Sequence, residues 1–245
     1  MKKILIVGAT SAIATETARC FAREGSMMHL VARDEEKLQR LAADLRVRGA
    51  QHVSTGTFDA LSPSSHAEVV RNAVQQLQEI DAVLIGHGTL PSQERCLTDW
   101  SCSEEALTVN LLSPVALLTE LATYFEMRKR GNITVISSVA GDRGRQSNYV
   151  YGAGKGGLSI FLQGLRNRLA HHEVCVTTVK PGFIDTPMTA HLNKGPLFAS
   201  AERVGARIHK AMRRGESVVY TPWFWRIIMG IIILIPECIF KRLRL

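Results

Sequence analysis

Seven short apolar runs, at residues 4–7, 29–32, 53–57, 82–85, 133–136, 174–179 and 217–220, are separated by segments of helical periodicity. Strand and helix in strict alternation is the pattern of a parallel sheet covered on both faces, because a parallel strand can be reached only by a crossover connection. Right-handed crossovers wind such units into an α/β, Rossmann-like doubly wound parallel sheet of about seven strands. At 245 residues the chain is long enough for one continuous core, and it carries no internal repeat, low-complexity block or interdomain linker. Its one compositional break falls near Thr221. The expected division is therefore a single domain, 1–221, followed by an apolar, basic C-terminal tail, 222–245.

Cys20, Cys96, Cys102, Cys175 and Cys238 are scattered, odd in number and without paired metal spacing. That pattern points to reduced thiols in a cytoplasmic setting and to no zinc or other metal site. The N-terminal Met-Lys-Lys before an apolar run imitates a signal peptide, but residues 4–7 are too few for one. The formal charge of +8 is unevenly spread: from Arg203 onward nine Lys and Arg face Glu216 and Glu237, a net of +7 that leaves +1 for everything before. No stacking aromatics or recognition-helix pattern accompany these cations, which argues against a nucleic-acid partner.

The chemistry concentrates between Ser137 and Lys155. Tyr151 and Lys155 stand four apart at the start of an apolar-periodic segment, so on a helix they share one face, a turn apart. An ammonium near a phenol favours the phenolate, and Lys155 is expected to lower the Tyr151 pKa toward the working range for proton transfer. Ser138 follows the run 133–136, at the carboxyl end of a strand facing the same crevice, where its hydroxyl would hold a carbonyl oxygen. With Asn110 in Val-Asn-Leu-Leu-Ser-Pro, Gly8 after the first strand and Pro181-Gly182 after a later one, the chain resembles the short-chain dehydrogenase/reductase family over nearly its whole length. Asn110, Ser138, Tyr151 and Lys155 match that family's catalytic tetrad.

The resemblance implies a sheet ordered 3-2-1-4-5-6-7 and a nicotinamide cofactor. The turn Gly8-Ala-Thr-Ser-Ala-Ile-Ala14 occupies the place of the phosphate-binding loop, with Gly8, Thr10, Ser11, Ala12 and Ile13 as contacts. The family has glycines where Ala12 and Ala14 stand, so each methyl should crowd either the cofactor or the helix packing. After the second strand, Ala32 replaces the acid that would bind a ribose hydroxyl of NAD and Arg33 follows it, which favours NADP, with NAD as the alternative. The other reading of Arg33 is a solvated cation beside an Asp34 that caps the next helix. Asp59 resembles the residue that contacts the adenine amino group, and Gly86 keeps a glycine where the family often has Asn-Asn-Ala-Gly. His87 in that loop is read as a packing or hydrogen-bonding residue. A helix starting near Ser103 carries Asn110, whose counterpart holds a water linking the lysine to solvent. Pro181, Gly182, Ile184 and Thr186 resemble the segment that meets the nicotinamide carboxamide, and residues 189–200 resemble a substrate-covering lid.

Residues 223–235 are almost wholly apolar, then Pro236 and a terminal Lys241-Arg-Leu-Arg-Leu follow. A bilayer span needs about 20 apolar residues, and this run is shorter and contains Arg226. Paired Trp223 and Trp225 with terminal cations suit a helix lying in the headgroup region of an anionic membrane. The other reading buries the tail in a homo-oligomer. Together with Gly-Ala-Thr-Ser-Ala-Ile-Ala and Gly-His-Gly-Thr-Leu-Pro, the tail is similar to a bacterial branch of the family, the decaprenylphosphoryl 2-keto-ribose reductases. That likeness implies a ketone carried on a polyprenyl phosphate and a cytoplasmic enzyme peripheral to the membrane. A soluble ketone or ketoacyl substrate, or a cofactor-binding scaffold without turnover, are the alternatives the sequence leaves open.

Overall fold

The computed structural model describes residues 2–62, 65–190 and 192–243. Among these, seven strands form one parallel sheet: β1 (Lys3–Val7), β2 (Met27–Ala32), β3 (His52–Thr57), β4 (Ala82–Ile85), β5 (Gly131–Ile136), β6 (Val174–Pro181) and, late in the chain, β9 (Val218–Thr221). Their order is β3-β2-β1-β4-β5-β6-β9, and every pairing is parallel. Two short strands, β7 (Ile184–Asp185) and β8 (Ala199–Ser200), pair separately and tie the ends of the expected lid together.

Alternation along β1 builds two cores from one strand. Ile4 and Ile6 point into a layer shared with α1 (Ala12–Ala22), α2 (Glu35–Val47) and α8 (Ala201–Arg214). Leu5 and Val7 point the other way, toward α3 (Ser65–Leu77), α6 (Ser113–Arg128) and α7 (Tyr149–Ala170). Each fully buried Leu, Ile or Phe here contributes about 2 kcal/mol of transfer free energy. That two-sided burial is why the strands read as continuous apolar runs.

The helix carrying Asn110 differs from expectation at its start. α5 (Trp100–Leu107) begins before Ser103, capped by Asp99, whose carboxylate accepts from the Ser101 amide at 3.0 Å. It then runs through one π turn, Thr108–Leu112, into α6. The whole stretch Trp100–Arg128 is the one helix among the described residues long and apolar enough to cross a bilayer by length and composition. Leu117, Leu118, Leu121 and Phe125 from it are fully buried in the body, which accounts for that hydropathy. A short α4 (Gln93–Cys96) precedes it.

The tail forms α9 (Trp225–Leu234) and α10 (Glu237–Phe240). Trp225 and Met229 are buried against Val139, while Trp223, Ile227, Ile231 and Leu234 are exposed. Gly182 is where this contact requires a glycine, since a Cβ there would lie 1.9 Å from the Trp225 indole nitrogen. Arg244 of the expected terminal cations and His191 of the expected lid lie outside the described residues.

Candidate active site

A cavity of about 500 Å³ opens where β1, β4, β5 and β6 end, the crevice that an open parallel sheet offers to ligands. Gly8, Thr10, Ser11, Ala12, Ile13, Arg33, Asp59, Gly86, Asn110, Ser138, Tyr151, Lys155, Pro181, Gly182, Ile184 and Thr186 all line it. The fold thus brings every sequence-derived candidate to one place.

The turn after β1 fits a dinucleotide phosphate. Gly8 adopts φ 75°, and a Cβ on it would sit 2.4 Å from the His87 amide nitrogen, so no other residue fits. Ser11 caps α1 by accepting from the Ala14 amide at 3.3 Å, which leaves the first-turn amides of Ala12 and Ile13 without an intrahelical acceptor at a positive helix end. The two alanines that replace glycines separate. Ala14 is fully buried and packs beneath Gly86, where it crowds only the helix–sheet contact, while Ala12 lines the cavity. Arg33 is exposed on the rim and has no ion pair among the described residues, whereas Asp34 caps α2 through the Lys37 amide at 3.0 Å. Asp59 accepts from the Leu61 amide at 3.0 Å.

Ser138 ends the segment after β5 and accepts from the Ala140 amide at 3.1 Å, which opens a tight 3-10 turn, Val139–Gly141. Ser137, just before it, hydrogen-bonds Ser159 at 2.8 Å and donates to the Lys155 carbonyl at 3.0 Å, clamping α7 to the sheet. α7 then presents Tyr151 and Lys155 one turn apart on the same face. Lys155 is buried, its Nζ donates to the Ile136 carbonyl at 3.1 Å and lies 6.0 Å from the Tyr151 ring centre. Asn110 is fully buried in the π turn, donating to the carbonyls of Thr89 at 2.8 Å and Ala106 at 2.9 Å. Its Oδ1 and the Lys155 Nζ both approach Gly88, where a Cβ would lie 2.9 Å from the one and 3.3 Å from the other.

The electrostatics correct one expectation. Burial pushes the Tyr151 phenol above its ordinary value, and a hydrogen bond from Ser138, rather than the charge of Lys155, pulls it partly back. Burial also lowers Lys155 to about 8. Both shifts follow from taking a charged form out of water, while the ammonium lies 6.0 Å from the ring centre and donates to the Ile136 carbonyl. His87 behaves as a packing residue: its Nε2 pairs with the Ser113 hydroxyl at 3.1 Å, its ring meets Phe58 edge-on, and burial lowers it to about 3.

Residues 2–197 match the family model described as short chain dehydrogenase. The chain belongs to the short-chain dehydrogenase family. Two relatives of nearly equal length agree. An uncharacterized oxidoreductase of Mycobacterium tuberculosis is 35% identical over 240 residues, covering 98% of this chain and 96% of its own. Another from Streptomyces coelicolor is 33% identical over 246 residues, covering 99% and 96%. Among solved structures, levodione reductase superposes with a TM-score of 0.81 at 19% identity, over 89% of this chain and 94% of that one. A variant of actinorhodin polyketide ketoreductase with NADPH gives 0.80 at 21%, over 89% and 95%. At those identities the likeness is one of fold. Membership makes this short-chain dehydrogenase an oxidoreductase with a nicotinamide dinucleotide as its cofactor.

Sequence reasoning missed Arg145 and Asn148, which line the same cavity. Both stand in the stretch that carries the chemistry, but a cation in a polar loop reads as solvated, and only the fold turns it inward. It also missed Arg143, which holds the tail.

Proposed function

We propose that this short-chain dehydrogenase is a carbonyl reductase that uses NADPH. The observation that carries the reading is that Ser138, Tyr151 and buried Lys155 line the same cavity as the glycine turn at Gly8 and the free helix end at Ala12. Bound there, the nicotinamide supplies hydride. Ser138 holds the ketone oxygen by donating from its hydroxyl, and Tyr151, kept protonated at neutral pH by burial, gives that oxygen its proton. Lys155, held in place by the Ile136 carbonyl, binds the nicotinamide ribose beside Tyr151. Asn110, by bracing the Thr89 loop against α5, fixes the wall beside which Lys155 lies. Arg33 on the rim is the group for a ribose phosphate.

The substrate in this reading is a hydrophobic or lipid-linked ketone of the polyprenyl-phosphate keto-sugar kind, reduced at the cytoplasmic face of a membrane. Its support is the stripe Ile227, Ile231 and Leu234, exposed on a helix whose opposite side packs against Val139 of the cavity wall. Residues 1–221 then form the catalytic unit and 222–245 its membrane-facing tail. The same exposed stripe favours a second reading, in which it packs in a homo-oligomer and the ketone is soluble. Cofactor oxidation measured across short-chain, long-chain and isoprenoid ketones tests the proposal. Turnover that rises with chain length supports it, and absence of turnover on every ketone returns the chain to a scaffold role.

A further inference from the structure

The loop between Ser138 and Tyr151 carries two arginines with different fates. Arg143 is engaged by the tail, donating to the carbonyls of Ile232 and Ile235 at 2.6 Å. Arg145 lines the cavity with Ser138 and Tyr151, half-buried, its Nε buried with no hydrogen-bond partner. No carboxylate among the described residues forms an ion pair with it. Asp142, the acid whose charge reaches it, is held by Lys180 and by the Tyr220 hydroxyl, and Glu105 on the cavity wall makes no pair with it. Asn148 is equally unengaged. It occupies the N-cap of α7, where an asparagine ordinarily accepts from the first helical turn, yet its side chain makes no cap bond and its Oδ1 is buried without a partner, again on the cavity wall. One turn presents both side chains, since the Asn148 amide donates to the Arg145 carbonyl at 3.1 Å.

A guanidinium with a buried, unpartnered Nε and no acid, on the same turn as a buried carbonyl oxygen without a donor, is costly unless a ligand meets them. We propose that Arg145 and Asn148 form a substrate subsite for an oxyanion and a hydroxyl carried by the ketone, Arg145 donating to a phosphate-ester or carboxylate oxygen and Asn148 Oδ1 accepting from the hydroxyl. This rests on the reading of the cavity as a ketone site and adds to it that the substrate is anionic near the reacting carbon. Lys180, which neutralises Asp142, leaves Arg145 as the cation available to the cavity on this loop.

The test is calorimetric titration of the full chain saturated with NADP⁺, a form that cannot reduce the ligand and whose cofactor phosphate sites are filled. The probes are dihydroxyacetone phosphate against dihydroxyacetone, and acetoacetate against acetone. In at least one pair the anionic member should bind about tenfold more tightly or better, the range for a charge-assisted hydrogen bond. Preference in the first pair alone identifies a phosphate ester, and in the second alone a carboxylate. Arg145→Gln should abolish the preference and Arg145→Lys should keep part of it, with NADP⁺ affinity within about twofold of the parent in both. Equal affinities in both pairs, no binding of any probe by the parent protein, or a preference that survives Arg145→Gln would overturn the subsite. Carbonyl reduction fails by a different result, absence of NADPH oxidation, whether or not the binding preference is seen.

Discussion

The guanidinium of Arg143 donates to the carbonyl of Ile235 at 2.6 Å. The same group donates to Ile232 at 2.6 Å, reaches the Glu237 carboxylate at 2.9 Å and lies over the Phe240 ring, 3.7 Å from its centre. A cation at a helix C-terminus meets carbonyls that have no partner within the helix, so Arg143 caps α9 from the loop that separates Ser138 from Tyr151. Trp225 closes the other side of this link by packing against Val139 and Phe183. The tail and the loop between Ser138 and Tyr151 are one mechanical unit.

Arg143→Ala should therefore cost about 2 kcal/mol of stability, through lost hydrogen bonds to a charged donor, and should lower kcat/KM for the ketone severalfold. Thermal unfolding and the rate of proteolysis within the tail check this. An unchanged midpoint together with an equally protected tail would show that Arg143 does not hold it.

Exposed α9 residues give the membrane test. Deleting the tail from Trp223 would also strip Trp225 and Met229 from behind Val139, a residue of the cavity wall, so the informative variant is the triple substitution of Ile227, Ile231 and Leu234 by Gln, all on one exposed stripe. It should lose most of its cosedimentation with phosphatidylglycerol vesicles. The parent should bind these better than phosphatidylcholine vesicles, with salt narrowing the gap. If the stripe seals an oligomer, the variant will instead lose solution mass and the parent will ignore both vesicles.

Cofactor choice follows from the rim. Arg33→Ala should raise the Michaelis constant for NADPH by about tenfold and leave that for NADH nearly unchanged, because a charge-assisted contact with the 2′-phosphate is worth about 1.5–3 kcal/mol. Equal use of both cofactors by the parent protein would contradict the assignment.

Lys155 yields a pH dependence of stability. Its folded pKa, about 8, lies below the ordinary 10.5, so the folded state resists carrying the charge. That penalty, on the order of 3 kcal/mol, is present in full below pH 8 and is relieved as pH rises toward 10.5. Lys155→Met should accordingly be more stable than the parent at pH 7, with the advantage shrinking between pH 8 and 10.5 in urea unfolding. A constant difference across that window would show that Lys155 is not held in a desolvated place.

Local pattern made much of this legible. The sheet could be read because burial on both faces leaves continuous apolar runs, and Tyr151 and Lys155 could be placed because helical periodicity alone puts them on one face. The start of α5 was misread because Ser103 and Asp99 are both cap formers, and sequence does not say which carboxylate or hydroxyl the backbone turns toward. The π turn at Asn110 depends on packing against α7 and has no local signal. Arg143 and Arg145 show the same limit most sharply: two residues apart in a polar loop, one caps a helix whose last carbonyls lie 89 and 92 residues later and the other faces the cavity. The pKa of Tyr151 was misjudged because proximity in sequence to Lys155 says nothing about the Ile136 carbonyl that orients the ammonium.

The most direct measurement of the central claim is single-turnover NADPH oxidation by Tyr151→Phe, with NADPH affinity measured on the same sample. Removing only the phenol oxygen leaves the helix, the cavity and Lys155 in place, while the proton donor is gone. The account predicts NADPH binding within about threefold of the parent and a rate of ketone reduction lower by about 10²–10⁴. Reduction at near-parental rate by a variant that binds NADPH normally would remove Tyr151 from the mechanism and, with it, the proton-transfer assignment of this site.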